Sequence, residues 1–304
     1  SRGGGHQPHH GAPRRVSHEV GDPGHQGDPA RCRLRLQRRG PAGREFQAGL
    51  VEFQRAPACS GPHRLLDTVE EAVVTDPLEP EAARVLREEI RKITPLPVKY
   101  VVYSHQHWDH VRGGRIFKEE GAKFISHANC VAHFKDLPEP EIVLPDETFT
   151  GDRHELRLGE RTLTLRYLGP NHGDCLIVMT PDHVNVPFIV DLGTAGGMPL
   201  PYIADYSLHN WVRSLRELES WDFESYVGGH GIPIAPKNRL TERREYVEGL
   251  MRETRRELDA GTPLDRIPDI VAARLQTKFA HLRGFNAIVR DNVRCTITYY
   301  GMGW

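Results

Sequence analysis

Cysteine is scarce in this chain. Five occur in 304 residues (Cys32, Cys59, Cys130, Cys175 and Cys295), scattered, odd in number and without a CxxC pair. That distribution argues against a disulfide framework and against a cysteine-rich zinc site. No apolar run approaches the ~18–20 residues that cross a bilayer. The first residues also lack a signal peptide's apolar centre, so the sequence reads as cytoplasmic, with no membrane partner. Neither sign of charge is in excess: 40 Lys and Arg stand against 41 Asp and Glu, for a net charge of −1. That balance removes the electrostatic case for nucleic acid as a partner.

Lysine is absent altogether from residues 1–66, where Gly, Pro, Arg and His dominate. Stretches such as "SRGGGHQPHHGAPRR" show no lasting period of 2 or 3.6 and bury too little apolar surface to offset ordering entropy, so disorder is the expectation. The preference for Arg over Lys also fits a GC-rich reading frame translated out of register. At most, "CRLRLQ" and "FQAGLVEFQ" alternate as edge strands would. Residues 67–304 read as one folded domain.

From Leu66 onward the pattern changes. "EEAVVTDP" predicts a buried strand ending at Asp76, and "EPEAARVLREEIRKI" a helix with Ala82, Val85, Leu86 and Ile90 at helical spacing. "VKYVVY" predicts a second strand, and "KFISH" another. "HELRLGERTLTLRYLG" predicts a hairpin around Gly159-Glu160. "CLIVMTP", "PFIVDLG" and "SYVGGHG" continue the sheet. Helices are expected over "IADYSLHNWVRSLRELES" and from about 238 to 283, and "TITYYGMGW" as a terminal strand or tail. Strands mixed with helices and hairpins imply an α/β domain with sheet inside and helices outside.

What the chain has in plenty is histidine, seventeen in all. "VVYSHQHWDHVRGG" places His105, His107, Asp109 and His110 in one short segment at the end of a strand. Imidazole nitrogens and carboxylate oxygens suit zinc and similar metals, and ligands two apart on a turn can close on one ion. Further candidates each follow a strand: His172 in "LGPNHGDC", Asp191 in "PFIVDLG", and His230 in "SYVGGHG". Taken alone, any of them would read as a turn residue. Tyr202, Tyr206 and Trp211 read as packing rather than pocket lining, and "RETRRE" as a solvated helix face.

The ordered series resembles the metallo-β-lactamase-fold superfamily: Asp after an early strand, His-x-His-x-Asp-His, a Gly/Pro-flanked His, Asp after an apolar strand, then Gly-His-Gly. The resemblance covers roughly Leu66 to Pro233. It implies an αββα sandwich (α/β, or α+β) with the site along one edge, helices added at the C-terminus, and two divalent metal ions, zinc before iron or manganese. His105, His107 and His172 would hold the first ion and Asp109, His110 and His230 the second. Asp191 would bridge them, and Asp76 would brace the metal loop. Two departures stand out. Gly173 occupies the place of the usual hydroxyl residue, and the family's first β-hairpin would have to come from the unusual N-terminal segment.

Two adjacent divalent ions can share a hydroxide formed near neutral pH, and Asp109 is placed to orient it or to shuttle its proton. The expected activity is hydrolysis of a small ester-like molecule (thioester, lactone or related acyl compound), in a glyoxalase II or lactonase-like branch rather than a true β-lactamase. The alternatives are a β-lactam or phosphodiester hydrolase, a mono-iron enzyme resembling the persulfide dioxygenases, and an inactive remnant.

Overall fold

Alternate side chains of strands β2 (Ala72–Thr75) and β3 (Val98–Val102) enter two different cores. Ala72, Val74 and Val101 join one, while Val73 and Val102 join the other. A sheet buried on both faces follows from this period of two. The computed structural model describes residues 49–51, 71–136 and 138–303, all within one unit, Cys32–Trp304. The readings of residues 1–48 and 52–66 lie outside the described residues. Part of "FQAGLVEFQ" does form a strand: β1 (Gly49–Val51) pairs antiparallel with β2 at the sheet edge. Chain preceding Asp76 therefore supplies the antiparallel neighbour of β2.

The first sheet has the order β1-β2-β3-β4-β5, with β4 at Lys123–His127 and β5 at Glu147–Phe149. Helix α1 (Pro80–Ile93) lies on its outer face through Ala82, Ala83, Leu86 and Ile90. Pro80 pre-sets the first turn, and Arg91 and Lys92 complement the dipole at the last. Short helices α2 (Trp108–Val111), α3 (Arg115–Glu119) and α4 (Cys130–Asp136) follow, and Phe117 and Phe134 complete this core.

The second sheet contains β6 (Arg153–Leu158), β7 (Arg161–Tyr167), β8 (Ile177–Pro181), β9 (Phe188–Val190), β10 (Ser225–Gly228) and β11 (Ile234–Pro236). They stand in the order β11-β10-β9-β8-β7-β6. Its residues, the inner face of the first sheet and the remaining helices share one core. Those helices are α5 (Leu208–Ser220), α6 (Asn238–Asp259), α7 (Ile267–Phe279) and α8 (Phe285–Gly301). The result is the αββα sandwich, carrying C-terminal helices. Among the described residues no helix is long and apolar enough to cross a membrane.

Three expectations need correction. "TITYYGMGW" is neither strand nor tail; residues 285–301 form α8, with Phe285, Val289, Asn292, Val293 and Thr296 buried at helical spacing. Packing against the neighbouring helices overrides the strand preference of its β-branched and aromatic residues. Helix α5 begins at Leu208 because residues 205–207 pair instead with the His172 loop, Gly173 donating to the Asp205 carbonyl and Ser207 to that of Asn171. Finally, Cys130 and Cys175 form a disulfide. They lie 45 residues apart in the chain, and the fold brings the start of α4 against the segment leading into β8.

Candidate metal centre

Five strands of the sandwich run out into the same end of the molecule, and each delivers a polar side chain there. Asp76 follows β2, His105 follows β3, His172 follows β7, Asp191 follows β9 and His230 follows β10. His107 caps α2, whose single turn carries Asp109 and His110. The structure brings all of these sequence-selected residues together. His105, His107, His172 and Asp191 present ligand atoms within 4.8 Å of one another, and so do Asp109, His110 and His230.

Asp191 is the common member. Its Oδ2 lies 3.3 Å from His172 Nε2, 3.5 Å from His110 Nε2 and 3.7 Å from His105 Nε2, while Oδ1 lies 3.6 Å from His230 Nε2. The second group closes through Asp109 Oδ2, 3.2 Å from His230 Nε2 and 3.6 Å from His110 Nε2. Asp191 is buried, whereas the Asp109 side chain is 47% exposed at the mouth.

Outer partners fix the rings from behind, the usual way in which imidazole ligands are oriented. Asp76 accepts hydrogen bonds from the Ser104 amide and hydroxyl at 2.7 Å each and from His110 Nδ1 at 2.9 Å. Ser104 Oγ in turn meets His105 Nδ1 at 2.8 Å. Asp205, which nothing in the sequence singled out, sets one oxygen 3.3 Å from His107 Nε2 and 3.0 Å from His172 Nδ1. Tyr206 packs its ring against His172 and donates its hydroxyl to the Asp191 carbonyl. Both Tyr206 and Trp211 are buried, while Tyr202 is a surface residue.

Local backbone serves the same geometry. Asp76 and Val190 hold positive φ values of 53° and 56°, conformations that cost non-glycine residues about 1–3 kcal/mol each and cluster at functional sites. A Cβ on Gly229 would lie 2.0 Å from Asp191 Oδ1, so only glycine lets that carboxylate sit where it does. Gly173 is at φ 64°, and a Cβ there would meet the Gln106 amide at 2.6 Å, which explains glycine where a hydroxyl residue was expected. The segment from Thr194 to Asp205 is held from behind by two buried groups. Arg243 donates to the carbonyls of Thr194 and Gly197, and Asn292 to those of Leu200 and Pro201.

His105 Nε2, His172 Nε2 and Asp191 Oδ1 are buried yet have no hydrogen-bond partner. Buried polar atoms left in that state are costly. A divalent cation would satisfy several at once, so the residues present fit a metal site.

Without a cation, the cluster is a knot of opposed charges. Burial opposes charge on Asp191, but His110 and His230 outweigh it and hold the carboxyl well below its usual range. Burial likewise opposes the charged form of Asp109, and the contact with His230 together with the charge of His110 brings it to about 2. Burial lowers His230, but Asp191 and Asp109 overcome it and raise the imidazole to about 9. His110 and His172 move in the same direction, again against burial, through Asp191 with Asp76 or Asp205. For metal-stripped protein the sign follows directly. A histidine raised from 6.5 to about 9 on folding contributes stability that is fully present below pH 6.5 and is lost as pH rises through 9. The thermal midpoint of metal-stripped protein is therefore expected to fall between those values; a midpoint that is flat or rising there would contradict the charge arrangement.

A model of the family described as the metallo-beta-lactamase superfamily matches residues 65–230. Among curated proteins, 2,4-dinitroanisole O-demethylase subunit alpha from Nocardioides sp. (strain JS1661) is 24% identical over 152 residues. The match takes in 50% of this chain and 46% of that protein, so the chain spans about half the length of the curated relative it matches. Similar solved structures include a metallo-beta-lactamase from Pontibacter korlensis, with a TM-score of 0.55, 18% identity, and coverage of 71% of this chain and 93% of that one. DIM-1 metallo-beta-lactamase exposed to ceftazidime aligns at 0.56 with 16% identity, covering 73% and 99%. A double mutant of the sec-alkyl sulfatase PisA1 aligns at 0.63 with 14% identity, covering 84% of this chain and 48% of that one. At such identities the structures bear on the fold alone. Because the family model runs over more than half of the chain and ends on His230, the last of the eight gathered residues, the chain belongs to the metallo-beta-lactamase superfamily.

Proposed function

We propose that the chain is a dinuclear zinc hydrolase of small ester-like molecules, thioesters or lactones. The observation that carries this reading is the position of Asp191. Its Oδ2 lies beside His105 and His172 of one group and His110 of the other, and its Oδ1 faces His230, so the carboxylate stands between the two groups as one shared by two ions would. His105, His107 and His172 would hold one ion, and Asp109, His110 and His230 the other. Bound there, the metals supply Lewis-acid activation of water and of the scissile carbonyl. Asp109 is ionised, sits at the mouth beside His230, and is placed to orient the attacking water and accept its proton. Asp76 and Ser104 keep His110 and His105 in place while this happens.

A second reading draws on the name of the curated relative, an O-demethylase of 2,4-dinitroanisole: cleavage of an activated aryl methyl ether at the same centre. A hydrolysis screen of zinc-loaded protein against thioesters, lactones, β-lactams, phosphodiesters and 2,4-dinitroanisole separates the two. Turnover of thioesters or lactones, lost on chelation and in His107→Ala, is expected. Turnover of the anisole alone would transfer the assignment to the second reading. Activity that survives His107→Ala would remove both. Metal content near two zinc ions per chain is expected, and a single iron would point to an oxygenase.

A further inference from the structure

We infer that Asp205 is a positioning residue shared by two ligands of a single metal position, orienting His107 and His172 from behind with one carboxylate oxygen. The inference rests on the metal-centre reading above. The Oδ2 atom lies 3.3 Å from His107 Nε2 and 3.0 Å from His172 Nδ1. The contact to His172 is an ion-pair approach rather than an aligned hydrogen bond. Each imidazole has only two nitrogens, so an outer contact on one of them commits the other to the interior. For His172 that inner atom is Nε2, 3.3 Å from Asp191; for His107, with Nε2 on Asp205, Nδ1 is the nitrogen left for a metal.

The contacts are selective. Of the histidines gathered here, His105 has its outer nitrogen on Ser104 and His110 has its own on Asp76. Asp205 touches neither of them, and it touches neither Asp109 nor His230. Its side chain therefore serves the group of His105, His107, His172 and Asp191 and leaves the other group to Asp76.

The side chain is also not what holds its own segment in place. The main chain does that. Gly173 donates to the Asp205 carbonyl at 3.0 Å and Ser207 to the Asn171 carbonyl at 2.8 Å. Tyr206 packs on His172, while Arg243 and Asn292 hold the residues upstream. With the Asp205 side chain 35% exposed, its carboxylate can lose its charge while the surrounding backbone keeps its bonds. A structural role and a positioning role thus predict different outcomes.

The test measures zinc affinity by chelator competition in two backgrounds. In His230→Ala, which disables the second position, adding Asp205→Asn should weaken zinc binding roughly 10–100-fold, the usual cost of losing an outer partner of a metal-bound imidazole. In His105→Ala, which disables the first, the same change should alter affinity by no more than about threefold, as for independent sites. Cobalt bound in the His230→Ala background should show shifted ligand-field bands after Asp205→Asn, and Asp205→Glu, which keeps the charge, should recover most of the lost affinity. Unchanged first-position affinity would overturn the inference, and so would equal weakening in both backgrounds, which marks general loosening. If the unaltered chain binds no zinc, the metal-centre reading falls as well. If it binds zinc and Asp205→Asn has no effect, this inference alone falls.

Discussion

Asp191→Asn is expected to give a folded protein that holds at most one metal ion per chain and loses hydrolytic activity by about 10³-fold or more. The asparagine keeps the shape of the side chain and removes the single anion that lies among His105, His110, His172 and His230. Neither group of ligands then has its shared carboxylate. The metal-stripped variant should also be less stable, by up to about 3–5 kcal/mol, since breaking a buried ion pair leaves its partners uncompensated. Elemental analysis and thermal unfolding with and without zinc read both effects. Two ions per chain with near-normal turnover would show that Asp191 is not the bridge.

The second large effect concerns the Cys130–Cys175 bond. Its loop of 45 residues corresponds to about 4 kcal/mol of restricted freedom in the unfolded chain. The double variant Cys130→Ala, Cys175→Ala is expected to lose unfolding free energy by an amount near that figure, read as a lower denaturant midpoint. Both cysteines are buried, so a thiol reductant should leave the folded protein unchanged and act only once unfolding begins. Equal midpoints for the variant and the parent would show that the crosslink contributes nothing. The bond also bears on the site, because Cys175 stands three residues after His172 and the intervening Asp174 carbonyl accepts from Asn129 and Tyr167.

Residues whose roles are set by their neighbours in the chain are legible in the sequence itself. His105, His107, Asp109 and His110 share one turn, and α1 declares its buried face through Ala82, Leu86 and Ile90. His172, Asp191 and His230 are legible only through their order and their places at strand ends. Asp205 is not, because a lone Asp in "IADYS" looks like a helix start; its importance comes from strand-like pairing with a loop more than thirty residues earlier. The same non-local pairing delays the start of α5. Cys130 and Cys175 are hidden for a related reason. An odd count without regular spacing carries no pairing information, and only the tertiary fold sets α4 beside β8. In α8 the strand preference of Thr, Ile and Tyr misleads, since burial along one helical face settles that segment.

The family signature stops at His230, yet Arg243 and Asn292, which grip the strip leading to Asp205, lie beyond it on α6 and α8. A shortened version cut to the signature would retain all eight gathered side chains and lose the clamp behind them. In this molecule two of the terminal helices buttress that strip from the rear, so substitutions at Arg243 or Asn292 are expected to disturb residues they never touch.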